Sequence, residues 1–220
     1  MLSDRSGVTF VEALLVMPIL ILMMAGMIEL GVLMAQFNQT VKAMHIGARY
    51  LAVSYPVLDD SLLDSSGGGI LPSISAMRSS NAAGQPSPND GLAISCTTGS
   101  TPACNSTRLN AILTGGDGVC GRPATYSRPG ICDVAPAVTA NNLRVTYFRT
   151  GLGYAGRPYG PVATIRLELI NFRFDFMGLA GVLALFGANT ASGFVFQPQP
   201  VTITSEDMWS VRCDPPATSC

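Results

Sequence analysis

Few residues in this chain are suited to chemistry, and the first two are carboxylates in an apolar setting. Glu12 and Glu29 are the only charges between Val8 and Ala35. A carboxylate in such a run is costly to keep and usually has a task. Glu12 follows Gly7 by five positions. In a chain beginning at Val8 it would lie about one turn into the helix. There the positive end of the helix dipole and a new α-amine would stabilise its charge, and a neighbouring subunit's amine would serve equally well. Satisfaction by water at a membrane edge is the plainer alternative. Glu29 lies 17 residues further on, roughly 25 Å along a helix axis. It is expected to snorkel or to bond a nearby polar group.

The second set is the six cysteines, Cys96, Cys104, Cys120, Cys132, Cys213 and Cys220. The first four are separated by seven, fifteen and eleven residues. These spacings match no common zinc or thioredoxin pattern. The single histidine, His45, stands at helical spacing with Lys42 and Arg49. Such a basic stripe suits lipid phosphates or a neighbouring subunit better than acid–base work. Disulfides are therefore expected, in an oxidising compartment. Many pairings are open to six cysteines; the expectation is three local bridges, Cys96–Cys104, Cys120–Cys132 and Cys213–Cys220. No G-x-S-x-G occurs and no second histidine exists to assist a nucleophile. We expect no catalytic residues, no metal and no cofactor. The net charge of −1 with one lysine in 220 residues argues against a nucleic-acid partner.

The element that positions the glutamates is the run from Val8 to Ala35, long and apolar enough to cross a bilayer. After Gln36 the run becomes a stripe: Phe37, Val41, Met44, Ala48, Leu51 and Tyr55. Steps of four and three are those of a helix presenting one seam to a partner. Pro56 restricts Tyr55 and should end the element. The spacing predicts one spine helix over 8–55, about 70 Å long, transmembrane over 8–35 and amphipathic over 36–55.

The remaining residues, 56–220, are enough for one domain of ordinary size. Residues 57–91 hold turn formers such as Ser65-Ser66-Gly67-Gly68-Gly69 and read as a linker, with a short helix possible around Ile70–Met77. Residues 92–133 read as a cysteine-bearing loop region, with Gly115-Gly116-Asp117-Gly118 a turn. From 140 to 208 the pattern becomes antiparallel sheet. Leu143, Val145 and Tyr147 alternate with Arg144, Thr146 and Phe148, Ile165, Leu167 and Leu169 with Thr164, Arg166 and Glu168, and Val201 and Ile203 with Thr202 and Thr204. Residues 151–161 would join the first two strands. The apolar segment 176–186 is too short to span a bilayer and reads as a core helix, a membrane-surface patch or a partner contact. The fold class is α+β: a long N-terminal transmembrane and amphipathic spine helix packed on a small antiparallel sheet, with disulfide-stabilised loops.

A short leader ending in glycine, glutamate five residues later, and then an apolar helix resemble the class III signal of type IV-like prepilins. Within that class the chain is similar to the TadE-like pseudopilins of tight-adherence (Tad/Flp) pili. The residues that carry the likeness are Glu12-Ala13-Leu14, Pro18, Gly26-Met27-Ile28-Glu29-Leu30-Gly31, Asn38 and Gly47-Ala48-Arg49-Tyr50. They lie in roughly the first quarter of the chain. Helix on antiparallel sheet is also the general pilin-like architecture.

The resemblance implies a leader of residues 1–7, cut between Gly7 and Val8 by a prepilin peptidase on the cytoplasmic face. It implies a single-pass protein of the bacterial inner membrane, N-terminus cytoplasmic and C-terminal domain periplasmic, with a place on the cell surface if it enters a pilus. It implies a minor subunit acting in initiation, at the tip or as a scaffold of pilus assembly. Its partners would be other pilins and pseudopilins and the assembly platform, with Glu12 and Glu29 serving subunit assembly. Two other classes remain open: an uncleaved single-span periplasmic scaffold or binding protein, and a secreted disulfide-rich protein. Arg5, offset by Asp4, is the leader's only basic residue, so the positive-inside rule lends the orientation little support.

Overall fold

The computed structural model describes residues 6–54, 56–58, 84–86, 89, 91, 93–121, 128–154, 162–174 and 198–205. The expectations for the 65–69 glycine run, the 70–77 helix, segment 176–186, Tyr55 and the Cys213–Cys220 bridge lie outside the described residues. The chain divides into two compact units, Met1–Asn38 with Arg173–Phe196 and Gln39–Phe172 with Gln197–Cys220.

Helix α1 runs from Ser6 to Val53, 48 residues without interruption, or about 72 Å. It begins two residues before the expected Val8 and ends two before the expected Tyr55. The last helical donor beyond its end is Ser54, whose N–H bonds Tyr50 O at 3.0 Å. Pro56 brings no N–H and disfavours helix at the residue before it, so the ladder closes early. Pro18 lies inside α1, where an apolar run and neighbouring turns tolerate it.

The second unit is built on four antiparallel strands in the order β1-β2-β3-β4, a simple meander. They are β1 Ala93–Thr97, β2 Leu143–Phe148, β3 Thr164–Leu169 and β4 Val201–Thr204. Registers such as Cys96↔Val145, Val145↔Leu167 and Leu167↔Val201 put the apolar positions on one face. On that face Ile94, Leu143, Val145, Ile165, Leu167 and Leu169 are buried. The other face carries Ser95, Arg144, Arg166, Glu168 and Thr202, as period-two alternation requires.

Residues 92–133 are not the loop region expected. They supply edge strand β1 and two short helices, α2 Ser106–Thr114 and α3 Ile131–Val134. The sheet therefore begins at Ala93 rather than near residue 140. β1 is held because Ile94 and Cys96 alternate inward with exposed Ala93 and Ser95. α2 is capped by Asn105, whose Oδ1 accepts from Arg108 N at 3.2 Å, and it buries Leu109, Ile112 and Leu113 at helical spacing. At 118–119 the chain turns on Asp117, whose Oδ1 accepts from Val119 N at 3.1 Å.

Two disulfides close within this part, Cys96–Cys104 and Cys120–Cys132. The first ties the end of β1 to the residue before the α2 cap. The second ties the segment after α2 to α3, where Asp133 accepts from both Gly130 N at 2.7 Å and Gly121 N at 3.0 Å.

Candidate assembly surface and its attachment to the sheet

The N-terminal part of α1 displays its apolar side chains instead of burying them. Every side chain from Phe10 to Ile21 is exposed, and exposed large apolar residues continue through Met27, Ile28, Leu30 and Met34. Phe10 is 67% exposed and Met27 74%. An unburied apolar surface of this length needs lipid or another apolar surface against it. By length and composition α1 can cross a membrane. Glu12 is among the exposed residues, reachable by a neighbouring subunit or by water. Glu29 is different: it is 8% exposed and already engaged within the chain. A carboxylate so enclosed is not an open contact for a neighbour.

The C-terminal part of α1 does have a buried face. Thr40, Ala43, Met44, Gly47, Ala48, Leu51 and Ala52 are buried. Of the expected seam, Met44, Ala48 and Leu51 are among them, while Phe37 and Val41 are only half-buried. The face is rotated toward Thr40, Ala43 and Gly47, because small residues let the helix approach its neighbours closely. A Cβ added to Gly47 would lie 2.5 Å from Ile131 Cδ1 and 3.1 Å from Leu167 Cδ2. α1 thus meets α3 and β3 at a point where no side chain fits. Gly47→Val is expected to destabilise the domain by about 2–3 kcal/mol through overpacking. Gly47→Ala should cost less than valine but still destabilise, by about 1–2 kcal/mol, because its Cβ would lie 2.5 Å from Cδ1 and 2.8 Å from Cγ1 of the fully buried Ile131, a clash that alanine's helix propensity only partly offsets. Urea unfolding of the full chain in detergent micelles, followed by circular dichroism, measures both. Lys42, His45 and Arg49 face outward, all exposed.

The chain leaving α1 is fastened by partners far away in sequence. Val57 N donates to the Tyr147 hydroxyl at 3.0 Å. Arg108 Nη1 donates to Pro56 O at 3.3 Å and Leu58 O at 3.2 Å. Asn105 N donates to Val57 O at 2.7 Å, and Leu58 pairs with Cys104 in a single β-bridge. The Arg128 guanidinium lies over the Tyr50 ring, 5.8 Å from its centroid, within cation–π range. Sequence reading assigned no role to Tyr147, Arg108 or Arg128. Only Tyr147 carried a signal, as an inward position on β2; the arginine partners have no local pattern.

Burial pushes the Tyr147 phenol well above its ordinary value, and the Val57 N–H and the Arg108 charge only partly offset this. A phenol whose folded pKa exceeds its unfolded one makes the fold bind the proton more tightly. Its contribution is complete below the unfolded value near 10 and is lost as pH rises above that. Stability is therefore expected to be insensitive to Tyr147 up to about pH 9 and then to fall by up to ~1.4 kcal/mol per pH unit. Urea midpoints measured against Tyr147→Phe isolate this slope from that of the other tyrosines.

Residues 7–49 match the family model described as TadE-like protein. No curated protein and no solved structure matches the chain. The matched stretch contains Glu12, the exposed apolar surface, Glu29 and Gly47, and it ends four residues before α1 does. Over that segment the chain is similar to the TadE-like proteins, which associates it with the Tad pilus system as a pilin-like protein.

Proposed function

We propose that this chain is a minor pilin or pseudopilin that serves assembly of a Tad/Flp-type pilus, in initiation, at the tip or as a scaffold. The observation that carries the reading is the uncovered apolar helix of the TadE-matching segment, with Glu12 exposed near its start. In this reading a prepilin peptidase cuts after Gly7 on the cytoplasmic side. The helix then stays in the inner membrane with the disulfide-bonded domain in the periplasm, until packing against other pilins covers its apolar side chains. The new α-amine of Val8, or that of a neighbour, neutralises Glu12. The chain works through its surfaces and not as an enzyme.

One feature favours a second reading, an uncleaved single-span scaffold. α1 is already helical from Ser6, so the Gly7–Val8 bond lies inside regular helix. A peptidase would have to unwind that first turn, where helix ends fray readily.

The mature N-terminus, read by mass spectrometry from membranes with and without the cell's prepilin peptidase, separates the two. A chain starting at Val8 only when the peptidase is present is the expected result. Met1 retained in both membranes would leave the uncleaved scaffold. A start beyond the apolar run would mean a secreted protein.

A further inference from the structure

The polar face of the sheet, opposite the one that packs on α1, holds a cleft of about 360 Å³. Arg144 on β2, Arg166 and Glu168 on β3, Asn171 after β3, and Pro198 and Pro200 before β4 line it. The register sets Arg144 directly across from Glu168, with Arg166 one pair along on the same face. Glu168 Oε1 lies 2.6 Å from Arg166 Nη2, a close ion pair. Its Oε2 stands 3.8 Å from Arg144 Nη1, too far for a hydrogen bond. Both guanidinium-bearing side chains remain more than 40% exposed, at 44% and 41%.

The donor count in this cleft exceeds the acceptor count. Each guanidinium offers five N–H groups. The nearest approach of the Arg144 guanidinium to Glu168 is 3.8 Å, beyond hydrogen-bond distance, and Arg166 Nε is shut off from water without a hydrogen-bond partner. The lining has two positive side chains and one negative, a surplus of one positive charge. The carbonyls of Ile170 and Asn171 accept from Asn142 Nδ2, each at 3.3 Å. Asn171 itself sits at φ 53°, in the left-handed region.

We propose that this cleft is a binding site for a small carboxylate-bearing monoanion. A planar carboxylate matches the guanidinium fork in two parallel bonds, and a single negative charge matches the surplus. The volume suits one sugar acid or the terminal residue of a peptide, with the proline rings as its apolar wall. The site stands whether or not the chain assembles into a pilus.

The test uses the full chain in detergent micelles with ¹⁵N-labelled arginine, reading the side-chain Nε–Hε signals. Arg166 Nε–H, shielded from water, is a natural reporter. Sodium glucuronate and N-acetylalanine are titrated separately, against sodium chloride at matched ionic strength. The expected result is a saturable shift of the Arg144 and Arg166 signals with at least one carboxylate, while Arg108 and Arg128 stay still. Tighter response to glucuronate would identify a sugar acid, and tighter response to N-acetylalanine a peptide terminus. Arg144→Gln should weaken binding about tenfold. Glu168→Gln, which leaves both guanidiniums in place and removes the competing charge, should strengthen it. The proposal is overturned if neither carboxylate shifts the signals, if chloride reproduces the shifts, or if Arg144→Gln titrates like the parent protein.

Discussion

Gly115→Val is expected to leave the C-terminal domain largely unfolded, with a loss of at least ~3 kcal/mol. Gly115 ends α2 at φ 74°, ψ −150°, a region essentially closed to residues with a Cβ. Space is closed as well: an added Cβ would run into Arg128 O and lie 2.5 Å from Gly130 N. Gly130 faces it in the same way, since its own Cβ would meet Leu113 O and Gly115 N. Two backbones touch here, and Gly116 N donates to Arg128 O at 3.0 Å across the contact. Pushing them apart would move α3, whose Ile131 lies at Gly47 on α1, and Arg128, which covers Tyr50. Gly47 and Tyr50 should therefore become more accessible, which hydrogen exchange on the α1 amides would read. Gly118→Val is the control: that glycine also has positive φ, but nothing lies within 4 Å of its Cβ position. A Gly115 variant no less stable than the Gly118 variant would remove the close-contact explanation.

The second large effect is loss of the two disulfides. Their loops are short, with separations of 8 and 12 residues. Chain-entropy reasoning gives each a stabilisation of about 2.5–3 kcal/mol, or roughly 5 kcal/mol for both. That is of the order of the whole stability of a small domain. The four-fold replacement Cys96→Ala, Cys104→Ala, Cys120→Ala and Cys132→Ala should fail to give a cooperative urea transition, and each two-residue replacement should give a lowered midpoint. Cys96 and Cys132 are fully enclosed, so their removal adds a packing loss to the entropic one. Cells that make the protein in a reducing compartment should then contain little folded domain. A normal unfolding midpoint for the four-fold variant would show that the sheet and α1 suffice by themselves.

Much of the architecture was legible in the chain because it rests on local periodicity. Three of the four strands declare themselves by alternation at Leu143–Tyr147, Ile165–Leu169 and Val201–Ile203. The strand that was missed, Ala93–Thr97, is just as regular, with Ile94 and Cys96 inward. Its cysteine pointed toward a disulfide loop, and five residues beside turn formers did not stand out. α2 was hidden similarly, although Asn105 before Leu109, Ile112 and Leu113 is a cap followed by a helical face. On the helix seam, hydrophobicity favoured Phe37 and Val41, whereas close approach selected Thr40, Ala43 and Gly47. A pattern of apolar residues ranks size, and this contact needed the absence of it.

The sequence by itself determined that α1 is long, continuous and apolar enough to cross a membrane, that most of the sheet is antiparallel with one buried face, and that the segment from Gly7 to Arg49 is TadE-like. Composition and spacing suffice for those, since each is a property of neighbouring residues. The tertiary structure alone decided that Glu29 is enclosed while Glu12 is open. It also decided that Tyr147 and Arg108 hold the segment leaving α1, and that Arg144, Arg166 and Glu168 share a cleft with Pro198 and Pro200. Tyr147 and Val57 stand 90 residues apart along the chain. No local rule relates such positions, because only the folded core brings their donors and acceptors within reach.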